Sequence, residues 1–236
     1  MKKGDDRRQL LIDTAERLFY SRGYEQTSIQ DILDALHFSK GDFYHHFESK
    51  FALMEAICAQ RAQQSCEAAR AAVEACTGDA TEKLNAFFEK SGIWQSDSTD
   101  YVGLLIRVAY REDGALMREK MKQRQIELTL PVIERIIVQG VREGVFFVPR
   151  GDGVAELVLR LGMQLTDEIA YVLASGREEQ DAMAAIVDKL NLYRYAIERL
   201  LGAPFGSIVL LRVENLAQIM RAVPAAPPRT GEAKAE

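Results

Sequence analysis

Apolar residues recur along this chain at spacings of three and four, and no convincing run alternates with period two. That spacing is the signature of helices. Leu11, Ala15, Leu18 and Phe19 share one face of Arg7 to Ser21, with Asp13, Glu16 and Arg17 opposite, which predicts an amphipathic helix. Arg22-Gly23-Tyr24 closes it, with glycine where a left-handed C-cap belongs. Ile29, Ile32, Leu33 and Leu36 then follow at helical spacing, and Thr27 with Gln30 fits a capping box at the start. Ser39 with Asp42 repeats the cap pattern, with the acid near the positive end of the helix dipole. Phe43 and Phe47 face inward together, which leaves Lys40, Tyr44 and His45 pointing outward. Between the two short helices lies Leu36-His37-Phe38, a turn that needs one residue at positive φ, and histidine is among the tolerated exceptions to glycine. Two short helices split by a tight turn, the second presenting polar side chains, suit a helix laid across the major groove of DNA.

The pattern continues in longer segments. Ser49 to Cys76 reads as one helix, about 40 Å long at a rise of about 1.5 Å per residue. Thr77-Gly78-Asp79 breaks it, and Thr81 to Gln95 and Tyr101 to Arg111 follow as shorter apolar segments. Ala115 to Glu143 is long, and Pro131 inside it predicts a kink or a split. A loop over 144–153 leads to a helix pair, Val154 to Ser175 and Glu178 to Leu201, whose apolar stripes suit a bundle. Ser207 to Val223 is predicted as a last helix and Pro224 to Glu236 as a disordered tail. The fold class expected is all-α with nine to ten helices. A three-helix helix-turn-helix DNA-binding domain would occupy 5–65, with its recognition motif at 28–47. A helical effector-binding and dimerisation domain would occupy 66–223.

Composition changes this picture in three places. The 236 residues carry a net charge of −5. In the first fifty, Lys2, Lys3, Arg7, Arg8, Arg17, Arg22, Lys40 and Lys50 face Asp5, Asp6, Asp13, Glu16, Glu25, Asp31, Asp34, Asp42 and Glu48, so bulk charge does not favour nucleic acid. The DNA reading therefore requires Lys2, Lys3, Arg7, Arg8, Lys40 and Lys50 on one surface and Asp13, Asp31 and Asp34 away from it. Cys58, Cys66 and Cys76 lack metal or redox spacing and read as the reduced cysteines of a cytoplasmic protein. His37, His45 and His46 are the only histidines and do not form a zinc signature, so neither metal nor cofactor is expected. No run of eighteen apolar residues suggests a membrane span, and MKKGDDRRQ has no apolar signal core. An enzyme is not expected, because the chain has no Ser-His-Asp order, no glycine-rich phosphate loop and no HExxH.

The stretch RRQLLIDTAERLFYSRGYEQTSIQDILDALHFSKGDFYHHFESKFALMEAI, residues 7–57, resembles the N-terminal domain of TetR-type transcriptional regulators. Its landmarks are Ala15, Phe19, Gly23, Tyr24, Thr27, Ile32, Ser39, Lys40, Gly41, Tyr44, Phe47 and Lys50. The resemblance implies phosphate contacts from Thr27, Ser28, Ser39, Tyr44, His46 and Lys50, with Lys40, Gly41, Asp42 and His45 nearest the base edges. It also implies a homodimer on a palindromic DNA operator, repression of transcription, and a small-molecule effector of unknown identity. Two departures stand out: His37 where glycine is usual, and Asp42 where a neutral residue, often threonine, is common. Asp42 can accept a hydrogen bond from a cytosine amino group, or serve only as a helix cap.

Candidates in the second domain are less specific. By the same resemblance, the pair 154–175 and 178–201 forms a four-helix bundle across a two-fold axis, with Leu161, Leu165, Ile169, Val187, Leu190, Tyr193 and Ile197 at the interface. The same stripes could instead fill the core of one protomer. Phe87, Phe88, Trp94, Tyr101, Tyr110, Met117, Met121 and Met163 suit the lining of an apolar ligand pocket and equally suit core filling. Arg107 lies in the apolar run VGLLIRVAY, where it would pair with Asp167 or Glu168, meet an acidic ligand, or snorkel to solvent. The mechanism expected is a two-state shift, with the long helix from Ser49 as a lever and a pivot near Thr77-Gly78 or Pro131. The rival reading is a DNA-bound helical scaffold that recruits proteins and has a filled core in place of a pocket.

Overall fold

The computed structural model describes residues 3–91, 99–110, 115–148, 153–212, 216 and 220. Among these residues the chain forms nine helices and no strand. They are α1 (Lys3–Arg22), α2 (Ile29–Leu36), α3 (Lys40–Tyr44), α4 (Lys50–Ala75), α5 (Ala80–Lys90), α6 (Thr99–Ala109), α7 (Ala115–Glu143), α8 (Val154–Ala174) and α9 (Glu179–Leu201).

Side-chain caps decide where several helices begin. Capping boxes open α2 (Ser28 with Asp31), α3 (Ser39 with Asp42) and α5 (Asp79 with Glu82), each satisfying free backbone N–H groups reciprocally. The cap of α2 is thus Ser28, and not Thr27 with Gln30 as the spacing predicts. Thr27 is fully buried, and its Oγ1 donates to the Gly23 carbonyl at 2.8 Å. His37 ends α2 in the left-handed region, at φ 54° and ψ 40°, as the turn requires.

Three further expectations need correction. α7 runs through Pro131 as one helix, so the split is not formed. The proline ring is exposed, so the carbonyl that loses its partner one turn earlier can turn to water. α5 stops at Lys90, where Ser91 adopts an extended backbone, short of the predicted Gln95. Residues 207–212 are irregular where the start of a helix is predicted, because the Ile208 and Val209 amides bond to distant side chains, whereas Leu216 and Met220, further along the predicted helix, are helical. The predicted tail, 224–236, lies outside the described residues.

Three apolar cores hold the helices together. The first gathers Leu11, Phe19, Ile32, Leu33, Phe43, Phe47, Leu53 and Ile57 from α1 to the first half of α4. Leu104, Leu105, Val108 and Ala109 of α6 belong to the same cluster. The second joins the later part of α4 with α5, α7, α8 and the end of α9 through Ala69, Leu84, Phe87, Ile133, Ile136, Val158 and Ile197. The third lies between α8 and α9 and includes Val102 and Ile106 of α6. α6 therefore buries one face against the N-terminal unit and the other against the α8–α9 pair. No helix among the described residues is long and apolar enough to cross a membrane.

Candidate nucleic-acid interface

α3 is too short to be stable alone, so its orientation comes from what lies beneath it. Phe43 is fully buried and Phe47 nearly so, with ring centroids 5.9 Å apart. The turn before α3 is fixed by His37 and by the Phe38 amide, which donates to the Leu33 carbonyl at 3.0 Å. With those anchors set, Ser39, Lys40, Gly41, Tyr44 and His45 are exposed along one short surface, and His46 is half-buried beside them. Tyr44 keeps 57% of its surface in solvent although its ring meets Phe43 edge-on at 5.3 Å. Ser28, at the start of α2, is exposed as well.

Two of the sequence candidates face the interior. Besides the buried Thr27, Lys50 is half-buried, and its Nζ donates to the carbonyls of Tyr24 at 2.9 Å and Thr27 at 3.1 Å. The same ammonium sits 4.2 Å from the centre of the Tyr24 ring. These bonds tie the α1–α2 loop to the start of α4, so both residues brace the unit in this structure.

Asp42 is engaged at both oxygens. Oδ2 accepts from the Ser39 amide at 2.9 Å and the Ser39 hydroxyl at 2.7 Å, while Oδ1 is bound by Arg7 of α1. The Ser39 hydrogen bonds, with the Arg7 charge beside them, hold the Asp42 carboxyl below its ordinary range. This arrangement matches the cap reading of Asp42 and adds a bridge between α1 and α3. Desolvation, with His45 and Arg8 nearby, pushes the His46 imidazole below its ordinary value and favours the neutral ring.

Arg7 and Arg8 are the neighbours that the pattern of α2 and α3 does not reveal. The Arg7 guanidinium lies 5.3 Å from the Phe38 ring centre and that of Arg8 5.2 Å from the Phe47 ring centre. Both side chains are exposed and add positive charge beside α3. Several acids of the same unit are internally paired: Asp31 caps α2 through Ser28, Asp13 and Asp34 accept from glutamines on their own helices, and Glu16 meets Arg61 at 2.6 Å.

Among the pocket candidates, Phe87 is buried and Phe88 half-buried, edge-on at 5.7 Å. Tyr110, Met121, Met163 and Asp167 come together between α6, α7 and α8. Trp94 and the side chains of Tyr101, Arg107 and Met117 lie outside the described residues. Asp167 is bound by Lys122 and by the Tyr110 hydroxyl at 2.8 Å, while Glu168 meets Lys189 at 2.6 Å. Both acids suggested as partners for Arg107 thus have other cations. Of the interface candidates, Leu165, Ile169, Leu190 and Ile197 are buried within the protomer, whereas Leu161, Val187 and Tyr193 are partly buried. The apolar side chains that α8 and α9 leave exposed are instead Leu157, Tyr171, Leu192 and Tyr195.

Residues 11–57, the segment that builds this surface, match the family described as bacterial regulatory proteins, tetR family. An HTH-type transcriptional repressor of Mycobacterium tuberculosis, Rv1474c, is 28% identical over 185 residues, which cover 77% of this chain and 89% of that protein. The uncharacterized HTH-type transcriptional regulator YerO of Bacillus subtilis is 41% identical over 54 residues, 23% of this chain and 19% of that protein. The HTH-type transcriptional repressor KstR2 of Rhodococcus jostii is 43% identical over 51 residues, 22% of this chain and 25% of that protein. The chain thus matches a quarter or less of the length of these last two relatives. In fold it is similar to a TetR-family transcriptional regulator from Pectobacterium atrosepticum, with a TM-score of 0.59 at 18% identity over 86% of this chain and 100% of that one. It is also similar to the fatty acid degradation regulator FadR from Bacillus halodurans, with a TM-score of 0.55 at 19% identity over 82% of this chain and 96% of that one. With the helix-turn-helix geometry and the family match to its core, residues 11–57 form a helix-turn-helix domain of the tetR family, and the helical fold beyond it is similar to that of solved TetR-family regulators.

Proposed function

We propose that the protein is a cytoplasmic transcriptional repressor that binds a palindromic operator as a homodimer and is released by a small-molecule effector. The observation that carries the DNA reading is α3, whose Phe43 is buried while Lys40, Gly41, Tyr44 and His45 stay in solvent. Phosphate contacts come from Ser28, Ser39, Tyr44 and His46, with Arg7 and Arg8 alongside. Lys40, Gly41 and His45 lie nearest the base edges. Two copies related by a two-fold axis present their recognition helices about 34–36 Å apart, one helical turn of DNA. The exposed Leu157, Leu192 and Tyr195 support a second copy docking on α8 and α9. Rv1474c and KstR2, both named as repressors, support the direction of regulation.

Release by an effector is supported by α6, which is shared between the core under α3 and the core between α8 and α9. α4 adds a second link, with Leu53 and Ile57 in the first core and Ala69 in the second. A ligand moves this equilibrium only by binding one pose better than the other. The scaffold reading keeps one observation in its favour: the cavities beside Met163 are only about 50 Å³ each, smaller than ordinary ligand sites.

Selection from a random duplex library tests the DNA reading. The expected product is an inverted repeat with half-sites one helical turn apart. Recovery of no consensus, or of an asymmetric one, would overturn it. Thermal melting across a metabolite panel separates an effector-bound regulator, which one compound stabilises, from a scaffold, which none does.

A further inference from the structure

α3 carries one acid, Asp42, in its first turn, beside the exposed Lys40 and Tyr44. A carboxylate on a surface that meets phosphates is repelled by them, so its charge alone works against the DNA reading. The cap of α3 does not need that charge, because glutamine serves as well as glutamate at the third position of a capping box. Asp42 is nevertheless charged at neutral pH, since the Ser39 hydrogen bonds and the Arg7 guanidinium hold its carboxyl below the ordinary range.

The charge has a partner on another helix. Oδ2 of Asp42 is fixed by the Ser39 amide at 2.9 Å and the Ser39 hydroxyl at 2.7 Å, which leaves Oδ1 to Nη1 of Arg7 on α1. Two bonds on one oxygen make the carboxylate a rigid post. The Arg7 guanidinium, bound to that post and 5.3 Å from the Phe38 ring centre, is located from two sides. Its side chain is still 49% exposed, and among the described residues it meets no acceptor besides Asp42. Arginine has five N–H donors in a planar fork, so a guanidinium held by one nitrogen keeps its other donors for a second anion. Arg8 gives the contrast. Its guanidinium lies 5.2 Å from the Phe47 ring centre, with no carboxylate partner among the described residues.

We infer that Asp42 is a positioning residue for DNA: it holds Arg7 against α3 so that the free side of the Arg7 fork takes a phosphate oxygen, and α1 and the recognition helix meet the duplex as one rigid edge. The inference rests on the DNA reading above and deepens it. The Asp42–Arg7 bridge persists on DNA, because the phosphate uses donors that the carboxylate leaves free. The order of Arg7 is already present in the free protein, so binding does not have to immobilise a long side chain. An acid thus strengthens the binding of a polyanion, the opposite sign to that of its charge alone.

The test measures binding of the full chain to the inverted repeat recovered by selection, across a series of salt concentrations. Asp42→Asn keeps an oxygen for the Ser39 cap and removes the charge. It should weaken binding about twofold to tenfold per half-site, the effect of having to order one free side chain. Asp42→Gln, whose side chain also suits this place in a capping box, should do the same. Arg7→Gln should lower the slope of log affinity against log salt by about 0.9 per half-site, the loss of one phosphate contact. Combined with Arg7→Gln, Asp42→Asn should cost nothing further, whereas combined with Arg8→Gln it should keep its full cost. Tighter binding by Asp42→Asn alone would overturn the inference, because the acid would then be withholding Arg7 from DNA. An equal cost of Asp42→Asn with and without Arg7 would overturn it too, since only the cap would remain, as would a salt slope unchanged by Arg7→Gln. Failure of the unaltered chain to bind any inverted repeat sinks the DNA reading itself, whereas binding that is indifferent to Arg7 sinks this inference alone.

Discussion

Three neighbouring polar residues of α3 do different work, and each yields its own expectation. Lys40 is exposed and points away from the core, so Lys40→Ala should narrow the affinity ratio between operator and random duplex. Tyr44→Ala should weaken both duplexes alike. Asp42 acts through the cap and Arg7, so Asp42→Ala should also weaken both alike by loosening α3. Fluorescence anisotropy on the two duplexes checks all three, and identical ratios for Lys40→Ala and Tyr44→Ala would contradict the division of roles. The lowered carboxyl of Asp42 means that its stabilisation is present above the unfolded carboxylate range and is lost only as pH falls through the depressed folded value. The cap of α3 is therefore intact at neutral pH. His46 carries the pH dependence instead. Its lowered value keeps the free ring neutral, and a nearby phosphate favours the imidazolium, so DNA binding should take up a proton. Affinity should rise from pH 8 to pH 6 by no more than about tenfold per pH unit for that proton, and His46→Gln should flatten the slope.

At the scale of the element, α3 is held from below. Phe43→Ala empties a fully buried site and should cost about 3–5 kcal/mol, read by denaturant unfolding. Much of this unit is legible in the sequence, because its spacing, its Ser39 cap and its His37 turn are local chemistry. The misplaced cap of α2 shows where local chemistry stops. Thr27 and Ser28 both carry hydroxyls, and the choice between them depends on the Gly23 carbonyl, which is in reach only once α1 is formed. Lys50 is a similar case, since its ammonium is drawn to carbonyls on a loop more than twenty residues away. Segment 207–212 has apolar residues at helical spacing, yet Asn85, more than a hundred residues earlier, captures its backbone. No local pattern carries that competition.

At the scale of the whole molecule, the apolar stripes of α8 and α9 serve two purposes that periodicity cannot separate. Leu165, Ile169, Leu190 and Ile197 fill the protomer, and Leu157, Leu192 and Tyr195 remain outside. If those exposed side chains form the two-fold contact, Leu192→Glu combined with Tyr195→Glu should convert a dimer to a monomer in sedimentation velocity while leaving the helix content unchanged. Operator affinity should fall with it, because one half-site offers only half of the contacts. An unchanged sedimentation coefficient would move the interface elsewhere on the surface.

The arrangement of two α3 helices on one face of duplex DNA is tested most directly by hydroxyl-radical footprinting on the selected operator. The account requires two protected patches related by a two-fold axis and centred about one helical turn apart. Lys40→Ala should leave the spacing of the patches unchanged and weaken their protection. A single patch, or uniform protection without symmetry, would contradict it.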